Sequence, residues 1–249
     1  MNYYESIALE ERKGYYVVKA NELIQKNRFE LSLPEQKTIA FICSMIKPVE
    51  VNAPYILEYE FNIRDYCKVC GIEYNTGKNY SDIKNVLKKL SDRSMWLDDG
   101  NGEVLVRWLA KVRTNKRSGR VNIELDRDLI PYLFDLGQRF TQYQLHNILA
   151  MKSAFSVRIY ELMKSYSFQK HKTFEIDELK LLLMVENVKS YHNFKDFRKY
   201  VIEKALNEIN ELTDINVHFE PIFNGRKVVK VKFFIKEKSS IERIFLVNK

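Results

Sequence analysis

The chain has 249 residues, 45% hydrophobic and 30% charged, with only 8 glycines and 5 prolines. That composition can bury real cores and excludes a disordered, collagen-like or loop-rich chain. The formal charge is +8, which favours a polyanionic partner, nucleic acid foremost.

In chain order, Val17–Asn27 reads as a helix. A second helix follows Ser32-Leu33-Pro34-Glu35, where Ser32 can cap backbone N–H groups and Pro34 suits a first turn. Its apolar residues Ile39, Ile42, Cys43 and Ile46 form one stripe. Tyr55–Phe61 alternates like a strand, Asn62 opens a short helix to about Cys70, and a longer helix covers Lys78–Asp92 with Tyr80, Ile83, Leu87 and Leu90 on one face. Strands are predicted over Met95–Asp98, Val104–Val112 and Val121–Leu125, the last two joined by a basic turn, residues 114–119.

The same order then recurs. A short helix covers about Gln142–Leu149, and a longer one begins after Lys152 or Ser153 with a stripe of Phe155, Ile159, Leu162, Met163 and Tyr166. Phe174–Leu183 reads as a brief strand running into a helix. Asn193 caps a long helix with the stripe Phe197, Val201, Ala205, Ile209 and Leu212, and a hairpin closes the repeat across Asn224-Gly225, a type I′ turn signal. The predicted fold class is α+β, two tandem winged-helix domains over residues 1–137 and 138–249. The first carries 21 basic and 20 acidic side chains and the second 20 and 13, so the cationic field belongs to the second.

An α-helix enters a major groove with its N-terminal residues at base edges while neighbouring elements grip phosphates. The helix after Asn193 offers Lys195, Arg198 and Lys199, and the guanidinium of Arg198 suits two parallel bonds to guanine O6 and N7. Lys195, Lys199 and Lys204 suit phosphate. The competing reading is a solvated face with pairs such as Lys199–Glu203. The first-domain counterpart offers Lys78, Asn79, Ser81, Lys84 and Lys88, with Asn79 suited to adenine. Its wing adds Lys111, Arg113, Lys116, Arg117 and Arg120, and the second wing adds Arg226, Lys227, Lys230 and Lys232. These are the candidate DNA-binding residues.

Other motifs fail on spacing. Cys67-Lys68-Val69-Cys70 ends a helix rather than starting one, so structural thiols are expected, not a redox pair or zinc site. The stretch 71–79 has five residues between its glycines where a phosphate loop needs four. His146, His171, His192 and His218 form no metal-binding pair. No catalytic residue, metal or cofactor is expected, and the chain reads as a non-enzyme. No apolar run approaches the roughly 18 residues of a helical membrane span. With 3 cysteines and no secretory layout at Met1-Asn2-Tyr3-Tyr4-Glu5, a cytoplasmic protein without a membrane partner is expected. Tyr3, Tyr4, Tyr15 and Tyr16 make the N-terminus aromatic without suggesting a function.

Several of these segments resemble one family, the plasmid replication initiators of the Rep_3 (initiator Rep protein) group. The resemblance rests on Ser32-Leu33-Pro34-Glu35-Gln36. It rests more heavily on Lys152-Ser153-Ala154-Phe155-Ser156-Val157-Arg158-Ile159-Tyr160-Glu161-Leu162, within which Arg158 and Glu161 are expected to fix packing rather than touch DNA. Phe197-Arg198 followed by Val201-Ile202, and the closing hairpin, resemble the family's second recognition unit. Together these cover about Val17 to Ile235. The resemblance implies tandem winged helices on direct repeats (iterons) of double-stranded DNA at a plasmid origin. It also implies origin opening with a host initiator and helicase, and dimers, formed through the first domain, that repress the initiator's own gene. The near-neutral first domain departs from a uniform reader, so most of the affinity is expected from the second. Three rivals remain: a winged-helix regulator on a palindromic operator, a rolling-circle nicking enzyme, which the missing metal ligands disfavour, and a protein-interaction module that never touches DNA.

Overall fold

The computed structural model describes residues 15–47, 54–98, 100–137, 139–240 and 242. Among these, pairing with a strand distant in the chain overrides the helical reading of residues 16–20. Tyr16–Ala20 is a strand (β1), and only Asn21–Gln25 is helical (α1). β1 pairs antiparallel with Phe140–Gln144, Tyr16 opposite Gln144. The predicted helix over Val17–Asn27 is therefore corrected to a strand and a short helix, and the start of the predicted Gln142 helix to a strand. Tyr3 and Tyr4 lie outside the described residues, while Tyr15 accepts the Leu145 N–H at 2.8 Å.

The chain forms two compact units, one of residues to Leu23 and Pro34–Leu149, the other of Ile24–Leu33 and residues from Ala150 onward. The division falls after Leu149 rather than near residue 137, because the strand at 140–144 is held by β1. Residues 24–33 join the second unit through three side chains. Gln25 Nε2 donates to Ser165 Oγ at 3.1 Å, the Arg158 guanidinium donates to the Asn27 carbonyl at 2.8 Å, and Arg28 pairs with Glu186.

In the first unit, α2 (Leu33–Cys43), β2 (Glu58–Asn62), α3 (Ile63–Cys70) and α4 (Thr76–Asp92) precede β3 (Ser94–Asp98), β4 (Glu103–Arg107), β5 (Leu109–Asn115) and β6 (Arg120–Leu125). The Asn62 side chain caps α3 by accepting the Arg64 N–H at 2.9 Å. Gly71, at φ 67°, ends that helix in the left-handed conformation and turns the chain toward α4. Strand order is β2-β6-β5, with β3 and β4 a separate hairpin. The single strand predicted over 104–112 is thus two, broken at Trp108, which is 1% exposed in the core. Phe41 packs edge-on against Phe61 and Tyr66 at 5.3 and 5.2 Å. A short helix α5 (Ile130–Leu133), strand β7 (Phe140–Gln144) and helix α6 (Leu145–Ala150) complete the unit.

The second unit holds α7 (Ala154–Ser165), β8 (His171–Glu175), α8 (Ile176–Leu182), the helix α9 over 194–212, β9 (Ile215–Asn224) and β10 (Lys227–Glu237). Sheet order is β8-β10-β9. Helix α7 is buried nearly all round, with Arg158, Tyr160 and Glu161 at 4%, 0% and 4% exposure. The Tyr160 hydroxyl donates to Asp214 at 2.8 Å and Lys164 Nζ donates to the same carboxylate at 2.9 Å, tying α7 to the chain entering β9. Burial lowers the Arg158 guanidinium to about 10, against the opposing pull of Glu161. These residues pack α7 into the second unit. Phe174 and Phe233 meet edge-on at 6.1 Å, and the α9 stripe residues Phe197, Val201, Ala205 and Ile209 are all at most 1% exposed.

Candidate nucleic-acid interface

Helix α9 begins at Asn193, whose side chain accepts the Lys195 N–H at 2.9 Å. It runs as an α-helical turn, Phe194–Phe197, then a π-helical segment, Arg198–Glu203, then an α-helix, Lys204–Leu212. A π segment brings residues five apart onto one face and is frequently found at functional sites. Here it pairs Arg198 Nε with Glu203 Oε1 at 2.7 Å, in place of the Lys199–Glu203 pair that α-helical spacing suggested. The Arg198 guanidinium also lies over the Phe219 ring at 5.8 Å. Lys195, Arg198, Lys199 and Lys204 are all exposed on the face opposite the stripe.

The wing formed by β9 and β10 brings Arg226 and Lys227 to its tip, both exposed. Asn224 is paired with Lys227, so the two-residue turn is Gly225-Arg226. Of its residues only Gly225 has a positive φ, 60°, the pattern of glycine at the first central position and not the type I′ turn expected at Asn224-Gly225. Further along β10, Lys230 is engaged by Glu175 at 2.6 Å and Lys232 lies over Phe234 at 4.9 Å. A cleft of about 780 Å³ opens between α8, the start of α9 and this wing, lined by Asp177, Lys180, His192, Asn193, Arg226 and Lys227. Lys180 and His192 were not evident from the sequence. Lys180 lies on a helix whose apposition to the wing is a tertiary fact, and no local spacing signals it.

In the first unit, Lys78, Ser81 and Lys84 are exposed along α4, and Lys88 is exposed but paired with Asp92 at 2.7 Å. Asn79 departs from expectation. It is 6% exposed, and its side-chain oxygen accepts the Asn75 N–H at the helix start, so it is not presented to a base. The wing of β5 and β6 exposes Lys116 and Arg117 at a turn ordered by Asn115 Oδ1, which accepts the N–H groups of Arg117 and Ser118 at 3.0 and 3.2 Å. Arg120 lies 3.6 Å from Glu60, and Lys111 and Arg113 share a shallow surface groove with Glu58 and Glu124. Acidic neighbours thus offset some cations in each unit, Lys88 and Arg120 in the first and Arg198 and Lys230 in the second, whereas Lys78, Lys84, Lys116, Arg117, Lys195, Arg226 and Lys227 have no acidic partner among the described residues.

Cys67 and Cys70 lie in the C-terminal half of α3, where burial pushes both thiols up, Cys70 to about 12. A neutral thiol is a poor nucleophile. Both are expected to resist iodoacetamide at pH 8 in the folded chain and to react once it is unfolded in urea, with mass spectrometry counting the adducts. Among the described residues, no three His, Cys, Asp or Glu side chains are placed to hold a metal, and no helix is long and apolar enough to cross a membrane.

Residues 16–164 match the family model described as "Initiator Replication protein, WH1", and residues 175–235 match "Initiator Rep protein, WH2". The chain belongs to the initiator Rep protein family. Among curated relatives, a replication initiation protein of Escherichia coli is 26% identical over 210 residues, 81% of this chain and 64% of that protein. A PI protein of Escherichia coli is 30% identical over 148 residues, 52% of this chain and 47% of that protein. The chain thus spans less than two thirds of the length of either. The crystal structure of Pi initiator protein in complex with iteron DNA has the same fold, with TM-score 0.70 at 22% identity, over 91% of this chain and 99% of that one. The family models describe two winged-helix domains; the WH1 match runs on through most of α7, and the WH2 match covers α8, α9 and most of the β9–β10 wing.

Proposed function

We propose that this chain is a plasmid replication initiator that binds direct repeats in double-stranded DNA at an origin. The observation that carries this reading is the second unit's arrangement: a helix exposing Lys195, Arg198 and Lys199, beside a wing tipped by Arg226 and Lys227. Arg198 reads guanine through its terminal nitrogens, and the lysines hold phosphates. One relative supports it, being a replication initiation protein, and the Pi initiator structure contains iteron DNA. In the first unit, Lys78, Ser81, Lys84 and Lys88 with the Lys116-Arg117 turn make fewer contacts, mostly to backbone. Once bound, the chain helps open the origin with a host initiator and helicase.

The first unit also mediates self-association, and the dimer represses the chain's own gene. Trp96 and Leu105 stand directly opposite each other on the β3–β4 hairpin and are 58% and 52% exposed. An exposed aromatic–aliphatic pair on a two-stranded ribbon suits a second copy of the same surface. Trp96→Lys is expected to shift sedimentation from dimer to monomer without lowering the melting temperature. An unchanged dimer contradicts this assignment.

The test of duplex binding is fluorescence anisotropy with DNA flanking the gene, titrated against salt. Affinity is expected to fall steeply and linearly on a log–log scale as counterions compete for phosphates, and to exceed that for a shuffled duplex. Equal, salt-insensitive binding to both overturns the reading.

A further inference from the structure

We propose that Phe223 is a wedge that enters the minor groove of the bound duplex between two base pairs and kinks it. This rests on the reading of the chain as a duplex-binding protein, and it adds a deformation of the DNA to the contacts already assigned.

Phe223 is 60% exposed and the adjacent Ile222 is 38% exposed, in a strand whose opposite end is fully packed, with Ile215 and Val217 at 0% and 2%. The aromatic side chain overhangs the core instead of closing it. It is also held by strand pairing. Phe223 is opposite Val228, next to a register shift between Val228 and Lys230, and the Asn224–Lys227 pair and the Gly225-Arg226 turn lie beyond it, on a ribbon of strands 10 and 11 residues long.

Its direction is set by the strand's alternation. Ile215, Val217, Phe219, Pro221 and Phe223 share one face of β9, and the Arg198 guanidinium lies over Phe219 in that row. Phe223 therefore projects from the face of the sheet that carries the base-reading helix, further out along the wing. Beside it stand Arg226 and Lys227, which have no acidic partner among the described residues. An apolar side chain flanked by cations is the equipment of minor-groove binders, in which the cations hold the groove's phosphates while the wedge unstacks a step. The first unit's wing lacks it: its turn is Lys116-Arg117-Ser118-Gly119, cations without an apolar tip.

The test uses the full chain and a duplex carrying its repeat. 2-Aminopurine is placed at successive positions to report unstacking, and dyes at the two ends report bending by energy transfer. The unaltered chain is expected to brighten 2-aminopurine at one step and to bend the duplex by about 20–90°. Phe223→Ala is expected to lose both signals while keeping the footprint and the melting temperature, and Phe223→Leu, still apolar, to retain them in part. Unstacking and bending unchanged in Phe223→Ala would overturn the wedge. So would signals kept by the DNA alongside a loss of self-association, which would assign Phe223 to a protein contact. A chain that binds no duplex at all overturns the duplex-binding reading and the wedge with it, and that failure is separate, because it shows in the footprint before any variant is made.

Discussion

Replacing Arg198 by alanine is expected to weaken binding to the cognate repeat by about 1–3 kcal/mol and to relax preference at a single base pair. The structure gives this prediction a definite geometry. Glu203 engages Nε at 2.7 Å, which leaves the two terminal nitrogens as the donors for a base. Fold stability is expected to change little, since the Arg198 side chain is 50% exposed and an exposed pair contributes about 0–1 kcal/mol. Lys195→Ala should behave differently. It weakens binding about equally across sequences and lowers the salt slope by about one. Anisotropy titrations with single-base variants of the repeat separate the two patterns. If Arg198→Ala leaves affinity and base preference untouched, the π-helical segment with its ion pair is only a solvated face.

The neighbouring residue fails in the opposite way. Phe197 is 0% exposed, packs near Tyr191 at a ring distance of 6.1 Å and lies beneath Lys180 Nζ at 5.6 Å. Phe197→Ala opens a cavity where α8, the approach to α9 and the sheet converge, and is expected to cost about 3–5 kcal/mol of second-unit stability. Urea unfolding followed by circular dichroism should show the loss. DNA binding should fall with the folded fraction, and base preference in the surviving folded protein should stay as it was. A cost below about 1 kcal/mol would mean that the site collapses around the smaller side chain. Adjacent residues on one helix thus divide the work, Phe197 anchoring the helix and Arg198 facing outward.

That division was readable in advance, because a 3.6-residue period separates buried from exposed positions without any knowledge of the partner elements. The same holds for the Asn62 cap, the α4 stripe and the alternation of Val231, Phe233 and Ile235 in β10. What could not be read depends on partners distant in the chain. Tyr16–Ala20 looks helical alone and is a strand only because residues 140–144 pair with it. Residues 24–33 belong to the second unit through Arg158 and Ser165, more than a hundred positions away. Asn79 departs from expectation for a local reason: the side-chain chemistry that recognises adenine equally satisfies a free N–H at a helix start. The pairing of Arg198 with Glu203 escaped because it follows from π-helical spacing, which a 3.6-residue count does not contain.

A footprint of the purified chain on DNA flanking its gene tests the central claim most directly. The account predicts several protected segments in direct orientation, spaced about two helical turns apart at roughly 10.5 bp per turn, which disappear together as salt is raised. A single palindromic footprint would contradict it in favour of an operator-binding regulator, and no protection at low salt would contradict DNA recognition by these helices altogether.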